Sequence, residues 1–266
     1  GVTDLEQMTS LSKQFREELK TGFIEFKIPK VVSQLDSVDG TRKFVMQVDA
    51  GKNIEAVLIP NGERLTLCVS SEVGCAMGCK FCFTAKMGLM RRLTPGEIVG
   101  QFINAHNSLK GEKRITNIVF MGMGEPLDNV DNVAKAVDIL HDQMGFGLAK
   151  RRVTVSTSGI VPQISRVAEM GVRLAISLNA TTNELRDRIM PINRKYPLEK
   201  LMEACREYAT VSGDHVTFEY VMLDGVNDTI EHARQLAGLV RDVPCKFNLI
   251  PFNPFPNSGY RRSSND

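Results

Sequence analysis

An α/β fold built on a parallel sheet is the architecture this 266-residue sequence predicts, on three observations. Apolar runs of strand length recur at 65–69, 118–121, 153–156, 172–178, 216–223 and 247–250; amphipathic stretches of helix length separate them; polar or glycine-rich strings follow each run. Strands alternating with helical patterns argue for parallel βα units. Such units, with both faces covered, form either an open doubly wound sheet or a full or partial barrel.

The elements follow in order. A short helix is expected over 9–20, where Leu11, Phe15 and Leu19 recur every fourth residue. Extended segments at 42–49 and 54–59, joined by Asp39-Gly40 and Gly51, suit a small hairpin or meander. Residues 1–60 therefore read as a helix and β extension, and 61–266 as the core domain. Thr94, Pro95 and Glu97 form a capping box with proline at the first helical position, so a helix opens there with Ile98, Val99, Phe102 and Ile103 inward. Another begins near Pro162 and stops at Gly171. Pro197 opens a third, with Leu198, Leu201, Met202, Cys205, Tyr208 and Ala209 on one face.

Composition narrows the class. With 42% apolar and 24% charged residues the chain can bury a core and is not of the disordered type. No apolar run approaches the roughly 20 residues of a bilayer-spanning helix and no secretory signal opens the sequence, so a membrane protein is not expected, and four cysteines crowded into 68–82 read as metal chemistry in a reducing cytoplasm. The net charge of +2 neither demands nor excludes an acidic partner such as RNA. Basic groups at Arg91-Arg92, Lys150-Arg151-Arg152 and Arg261-Arg262, with Lys110, Lys113 and Arg114 near one loop, are the candidates for phosphate contact.

Chemistry is expected beyond the carboxyl ends of the strands, where ligands of such sheets bind. Of six cysteines, four fall within residues 68–82. Cys75, Cys79 and Cys82 share a loop with Gly74 and Gly78, whose lack of side chains lets the backbone wrap closely. Clustered soft thiolates suit zinc or an iron-sulfur cluster. Structural zinc wants four ligands, and the nearest fourth candidate, Cys68, lies in an apolar run that would hold it away from the loop. A zinc knob closed by a distant residue and a four-iron cubane with one open iron both stay possible on the ligand count.

This three-cysteine spacing after the first core strand, with Phe81 beside the last ligand and MGMGEPL at 121–127, resembles the radical S-adenosylmethionine (SAM) enzymes. The strings LCVSSEVGC at 67–75, KRRVTVSTSG at 150–159 and NLIPFNP at 248–254 are similar to the bacterial dual-specificity adenine-C2 methyltransferases of 23S rRNA and tRNA. The likeness runs from about residue 42 to 266. It implies a partial (β/α)6 radical-SAM barrel with a small N-terminal β extension. It also implies a 4Fe-4S cluster on Cys75, Cys79 and Cys82, whose free iron takes the amino and carboxylate groups of SAM, and one-electron cleavage of SAM to a 5'-deoxyadenosyl radical. Gly124, Glu125, Ser156, Ser177, Leu178, Asn179 and Asn253 match the family's SAM contacts.

In the family a C-terminal cysteine is methylated, its methyl carbon adds to the base, and a second cysteine releases the product by forming a disulfide. Cys68 matches that resolving thiol and Glu55 the proton acceptor. No cysteine follows Cys245, so the methylated residue has no counterpart, and the sequence is expected to be a portion of a longer protein. The resemblance further implies an electron donor such as flavodoxin, and a monomer is expected. The competing readings are a C8-specific relative, a radical SAM enzyme acting on a non-RNA substrate, and a non-catalytic zinc-bearing RNA-binding domain.

Overall fold

The structure, a computed structural model, describes residues 4–22 and 28–264. Helix α1 (Lys13–Thr21) starts where the Ser12 hydroxyl accepts the Phe15 N–H, so Leu11 falls outside it. None of the helix's residues is fully buried, although Arg16 and Leu19 are partly covered. Strands β1 (Lys30–Asp36), β2 (Arg42–Asp49) and β3 (Lys52–Asn61) then run as an antiparallel meander.

After a tight turn at Gly62, β4 (Arg64–Cys68) opens the parallel series. Strand β5 (Glu72–Gly74), the short helix α2 (Phe83–Lys86) and strand β6 (Leu89–Arg92) form a two-stranded flap that carries the cysteine loop. Helix α3 (Pro95–Ser108) has the expected capping box, with both reciprocal Thr94–Glu97 bonds present. Then follow β7 (Asn117–Phe120), α4 (Val130–His141), β8 (Val153–Thr157), α5 (Ile164–Met170), β9 (Arg173–Ser177), α6 (Asn183–Ile189), α7 (Leu198–Ser212), β10 (Val216–Met222), α8 (Ile230–Leu239) and β11 (Cys245–Pro251). The helix expected near Pro162 begins as a 3-10 turn and becomes α-helical only at Ile164. Gly171 ends it with φ of 68°, a left-handed turn that glycine adopts without penalty.

One nine-stranded sheet runs β1-β2-β3-β4-β7-β8-β9-β10-β11. The six core strands are parallel and lie in sequence order. That order decides between the two architectures left open by the sequence. A doubly wound sheet reverses direction part-way, whereas sequential parallel strands with right-handed crossovers put every helix on one face and curl the other face inward. The fold is thus a partial barrel. The N-terminal meander continues its sheet without a break, since β3 pairs with β4 from Val57↔Cys68 to Asn61↔Arg64. Phe44, Met46, Ile54, Ala56 and Leu58 join the same apolar core as Leu67, Ile118, Val155 and Ile176.

The strands' period of two sorts the residues. Leu67, Ile118, Phe120, Val153, Val155, Leu174, Ile176, Val216 and Phe218 are fully buried against the helices. The opposite face carries Cys68, Val119, Thr154, Ser156, Ser177, Thr217, Glu219 and Asn248. These are register neighbours through Cys68↔Val119, Val119↔Thr154 and Glu219↔Ser177, and through Glu219↔Asn248.

Candidate active site

At the carboxyl ends of the core strands lies a cavity of about 270 Å³. Its walls include Cys75, Cys79 and Cys82, together with Gly122, Gly124, Glu125, Ser156, Ser158, Ser177, Asn179 and Glu219. Strand ends far apart in sequence therefore meet at one place, as the polar strings at those positions predict.

The cysteine loop is clamped from two sides. Gly74 has φ of 77°, and a side chain there would overlap the Gly88 carbonyl oxygen, which accepts the Cys75 N–H at 3.0 Å. On the other side Lys80 N–H donates to Ile189 O at 2.9 Å, tying the loop to the end of α6. All six cysteines are free thiols, and burial pushes Cys75 and Cys79 up to about 12. Among the described residues no three histidine, cysteine or acidic side chains are gathered to hold a single metal ion. No histidine and no fourth cysteine belongs to the cavity wall. Three thiols around an accessible cavity are a donor set that fits a cluster with one iron left to a ligand.

The loop after β7 is locked to the segment after β4. Gly122 N–H donates to Val69 O at 3.1 Å, and Met123 N–H to the Ser70 hydroxyl at 2.9 Å. Gln101 from α3 holds both the N–H and the carbonyl of Ser70. Gly124 has φ of 99°, and a Cβ there would come 2.5 Å from Glu72 Cβ, so only glycine fits. Glu72 accepts the Glu125 N–H at 2.8 Å. Burial, reinforced by nearby Asp128, raises the Glu72 carboxyl to about 8.

The Glu125 side chain is a staple: its oxygens accept the Leu127 N–H at 3.0 Å and the Ser158 N–H at 2.7 Å, joining the loops after β7 and β8. Burial raises its carboxyl despite those bonds. Asn179 is left-handed, with φ of 57°, and its amide oxygen accepts the Val221 N–H at 2.7 Å. The Ser158 hydroxyl is buried on the cavity wall and makes no hydrogen bond, an open position for a polar ligand group.

Gly124, Glu125, Ser156, Ser177 and Asn179 are thus brought together with the three thiols. Leu178 is not: its side chain is fully buried in the core, and its backbone carbonyl accepts Arg186 Nε. Asn253 lies two residues past β11, exposed and outside the wall. Cys68 and Glu55 also lie outside the wall. They share the inward face of the sheet, with Val57 opposite Cys68 and Glu55 two residues further toward the cavity end. Burial pushes the Cys68 thiol up to about 11. Glu55 is half-exposed and paired with Lys43 at 2.9 Å.

Most of the basic groups are placed against phosphate contact beside the cavity. Lys150, Arg151 and Arg152 precede β8, and Lys110, Lys113 and Arg114 precede β7, at the opposite end of the strands. Arg91 is held by Asp49 and Glu97, and Arg92 by Asp128. Arg261, paired with Asp224 at 2.9 Å, and Arg262, bridged to Leu223, do sit at the cavity end. Sequence reading missed Glu219, which accepts Asn248 Nδ2 at 3.0 Å on the wall and whose carboxyl is raised by burial. It also missed Arg186, the largest fully buried side chain.

The sequence profile of the Radical SAM superfamily matches residues 69–237. The chain belongs to the radical SAM superfamily. Within it, the dual-specificity RNA methyltransferase RlmN of Bdellovibrio bacteriovorus is 56% identical over 265 residues, covering 100% of this chain; the chain spans 66% of that relative's length. The crystal structure of a radical SAM methyltransferase from Sphaerobacter thermophilus superposes with a TM-score of 0.94 at 44% identity, over 99% of this chain and 78% of that one. Streptococcus suis SuiB bound to S-adenosylmethionine shares the radical SAM fold alone, with a TM-score of 0.53 at 13% identity over 76% of this chain and 45% of that one. Among the described residues no helix is long and apolar enough to cross a membrane.

Proposed function

We propose that this chain is the core of a radical SAM RNA methyltransferase that places a methyl group on C2 of adenosine in 23S rRNA and tRNA. The observation that carries the reading is the cavity at the strand ends, whose wall holds three thiols and no fourth thiol or imidazole. The relative's name, a dual-specificity RNA methyltransferase, supplies the substrate class.

Cys75, Cys79 and Cys82 would hold a 4Fe-4S cluster, with SAM seated between it and Gly124, Glu125, Ser156, Ser177 and Asn179. When bound, this pair supplies the one-electron chemistry that an electron-poor amidine carbon such as adenine C2 requires. The chain's own residues prepare the place. The Glu125 staple and the Gln101 clamp fix the loops after β4, β7 and β8 before any ligand arrives, so little ordering remains to oppose binding. The Ser158 hydroxyl, without a protein partner, is free to bond a polar group of the ligand. Buried surroundings keep Cys68 a thiol until a base accepts its proton. Glu55, ion-paired and half-exposed, can accept a proton at its carboxylate and pass it to solvent.

Leu178 and Asn253 contribute through backbone or a rearranged loop end rather than through the wall. Within residues 1–60, strands β1–β3 act as an extension that lengthens the sheet. A monomer that works in the cytoplasm and takes electrons from a flavodoxin-type donor completes the reading.

The test uses the full-length protein, loaded anaerobically with iron and sulfide. Incubation with SAM and an rRNA or tRNA fragment should yield adenosine methylated at C2 by mass spectrometry. Methylation at C8, or none on RNA while SAM is cleaved, would move the assignment to the competing radical SAM readings. Cys68→Ala in the same protein should accumulate a covalent RNA–protein adduct, and unhindered release of methylated RNA would remove the resolving role.

A further inference from the structure

Arg186 stands in the middle of α6 and is fully buried. Its guanidinium donates to Ser158 O at 2.6 Å, Ser177 O at 3.1 Å, Leu178 O at 3.1 Å and the Asn193 side-chain oxygen at 3.2 Å. Every one of these acceptors is neutral. Arg186 makes no ion pair among the described residues, and a buried charge without a counter-charge is costly. Burial accordingly pulls this arginine down to about 10.

Ser158 and Ser177, whose carbonyls Arg186 holds, stand on the same cavity wall as Cys79. The cysteine loop is tied to the helix that carries Arg186: Lys80 N–H donates to Ile189 O, and Cys79 packs against the cluster that contains Leu185 and Ile189. The cavity end therefore holds a fixed positive charge behind the wall carbonyls, on the helix against which the cysteine loop is fastened. The arginine of an ordinary structural site would meet a carboxylate there; this one meets three main-chain carbonyls and an amide.

We propose that Arg186 is the built-in counter-charge for an anionic centre on the cysteine loop, a positioning residue that favours the reduced state of a thiolate-held iron-sulfur cluster. The inference rests on the three-thiol cluster reading given above. Three thiolates on a cubane leave a net negative charge that grows when an electron enters, so a buried cation nearby favours the reduced state. The same side chain, by fixing the carbonyls of Ser158, Ser177 and Leu178, sets the ends of β8 and β9 on which the ligand would rest.

The experiment is an anaerobic redox titration of the full-length, cluster-loaded protein followed by electron paramagnetic resonance, comparing wild type with R186K and R186M. R186M removes the charge. At a fixed potential its oxidised-to-reduced ratio should rise at least tenfold, which is a shift of 59 mV for a one-electron couple. R186K keeps the charge and should stay within threefold of wild type. An unshifted R186M, or an R186K shifted as far as R186M, would overturn the proposal. Failure of R186M or R186K to fold would assign the side chain to the scaffold and overturn it as well. A wild-type protein that takes up no cluster would instead overturn the cluster reading on which it rests.

Discussion

The two faces of the same six parallel strands differ in everything but backbone. On the helix side sit Leu67, Val155, Leu174, Ile176 and Phe218, each no more than 0% exposed. On the inward side, one residue away along each chain, sit Cys68, Ser156, Ser177, Glu219 and Asn248. Burying one large apolar side chain is worth about 1.5–3 kcal/mol, so the helix side holds the sheet together. The inward side contributes little to that and keeps polar groups under-solvated, as the raised carboxyl of Glu219 shows. Alternation lets stability and chemistry occupy one strand without competing.

Substitutions on the two faces should therefore separate into two classes. The largest effect is expected from Cys79→Ala, which removes a wall thiol. Iron and sulfide content and the visible absorbance should be lost, and SAM cleavage abolished, while far-ultraviolet dichroism of the empty protein stays that of wild type. Gly124→Ala is next, because its Cβ would meet Glu72 and its backbone would be strained. SAM cleavage in the loaded enzyme should fall about 100-fold, as expected for a misplaced site loop. Phe218→Ala tests the other face. Denaturant unfolding should show a loss of about 3–5 kcal/mol, with SAM affinity of the folded fraction unchanged.

A smaller effect concerns pH. The Glu72 carboxyl is raised from 4.5 to about 8 in the folded protein, so the folded state binds its proton more tightly than the unfolded chain does. Its contribution to stability is fully present below pH 4.5 and is lost as pH rises toward 8. Glu72→Gln should flatten that decline in urea midpoints measured across the same range; a curve parallel to wild type would show that Glu72 is not the titrating group. The smallest effect belongs to the Lys43–Glu55 pair. As a half-exposed ion pair it should cost less than about 1 kcal/mol of stability when broken by Lys43→Met or by Glu55→Gln, whereas only Glu55→Gln should lower methyl transfer to RNA.

Much of this was legible in the chain. All six apolar runs became core strands within a residue or two, because a strand buried on its helix side must be rich in branched and aliphatic residues. The capping box at Thr94 and the stop at Gly171 are local chemistry and occur where expected. The cysteine spacing was equally local. Glu219 and Asn248 were not legible, because they meet only through the β10–β11 register across 29 positions of sequence. Arg186 reads as a solvated charge in NELRDRI, although its spacing to Ile189 and Met190 placed it on the apolar side of the helix, a signal that could have found it. The placement of the basic groups was not legible either: those before β7 and β8 lie at the far end of the strands, whereas Arg261 and Arg262 lie at the cavity end, a difference that only the topology sets.

Sequence alone determined the strands, their capped helices and the three thiols in one loop, since propensity, turn chemistry and ligand spacing act over a few residues. Only the tertiary structure decided that the strands lie in sequential order, that the meander extends the same sheet, and that Glu219, Ser158 and Arg186 meet around one cavity. Those outcomes depend on pairing and burial between distant segments, where the free energy belongs to the contact and not to either residue.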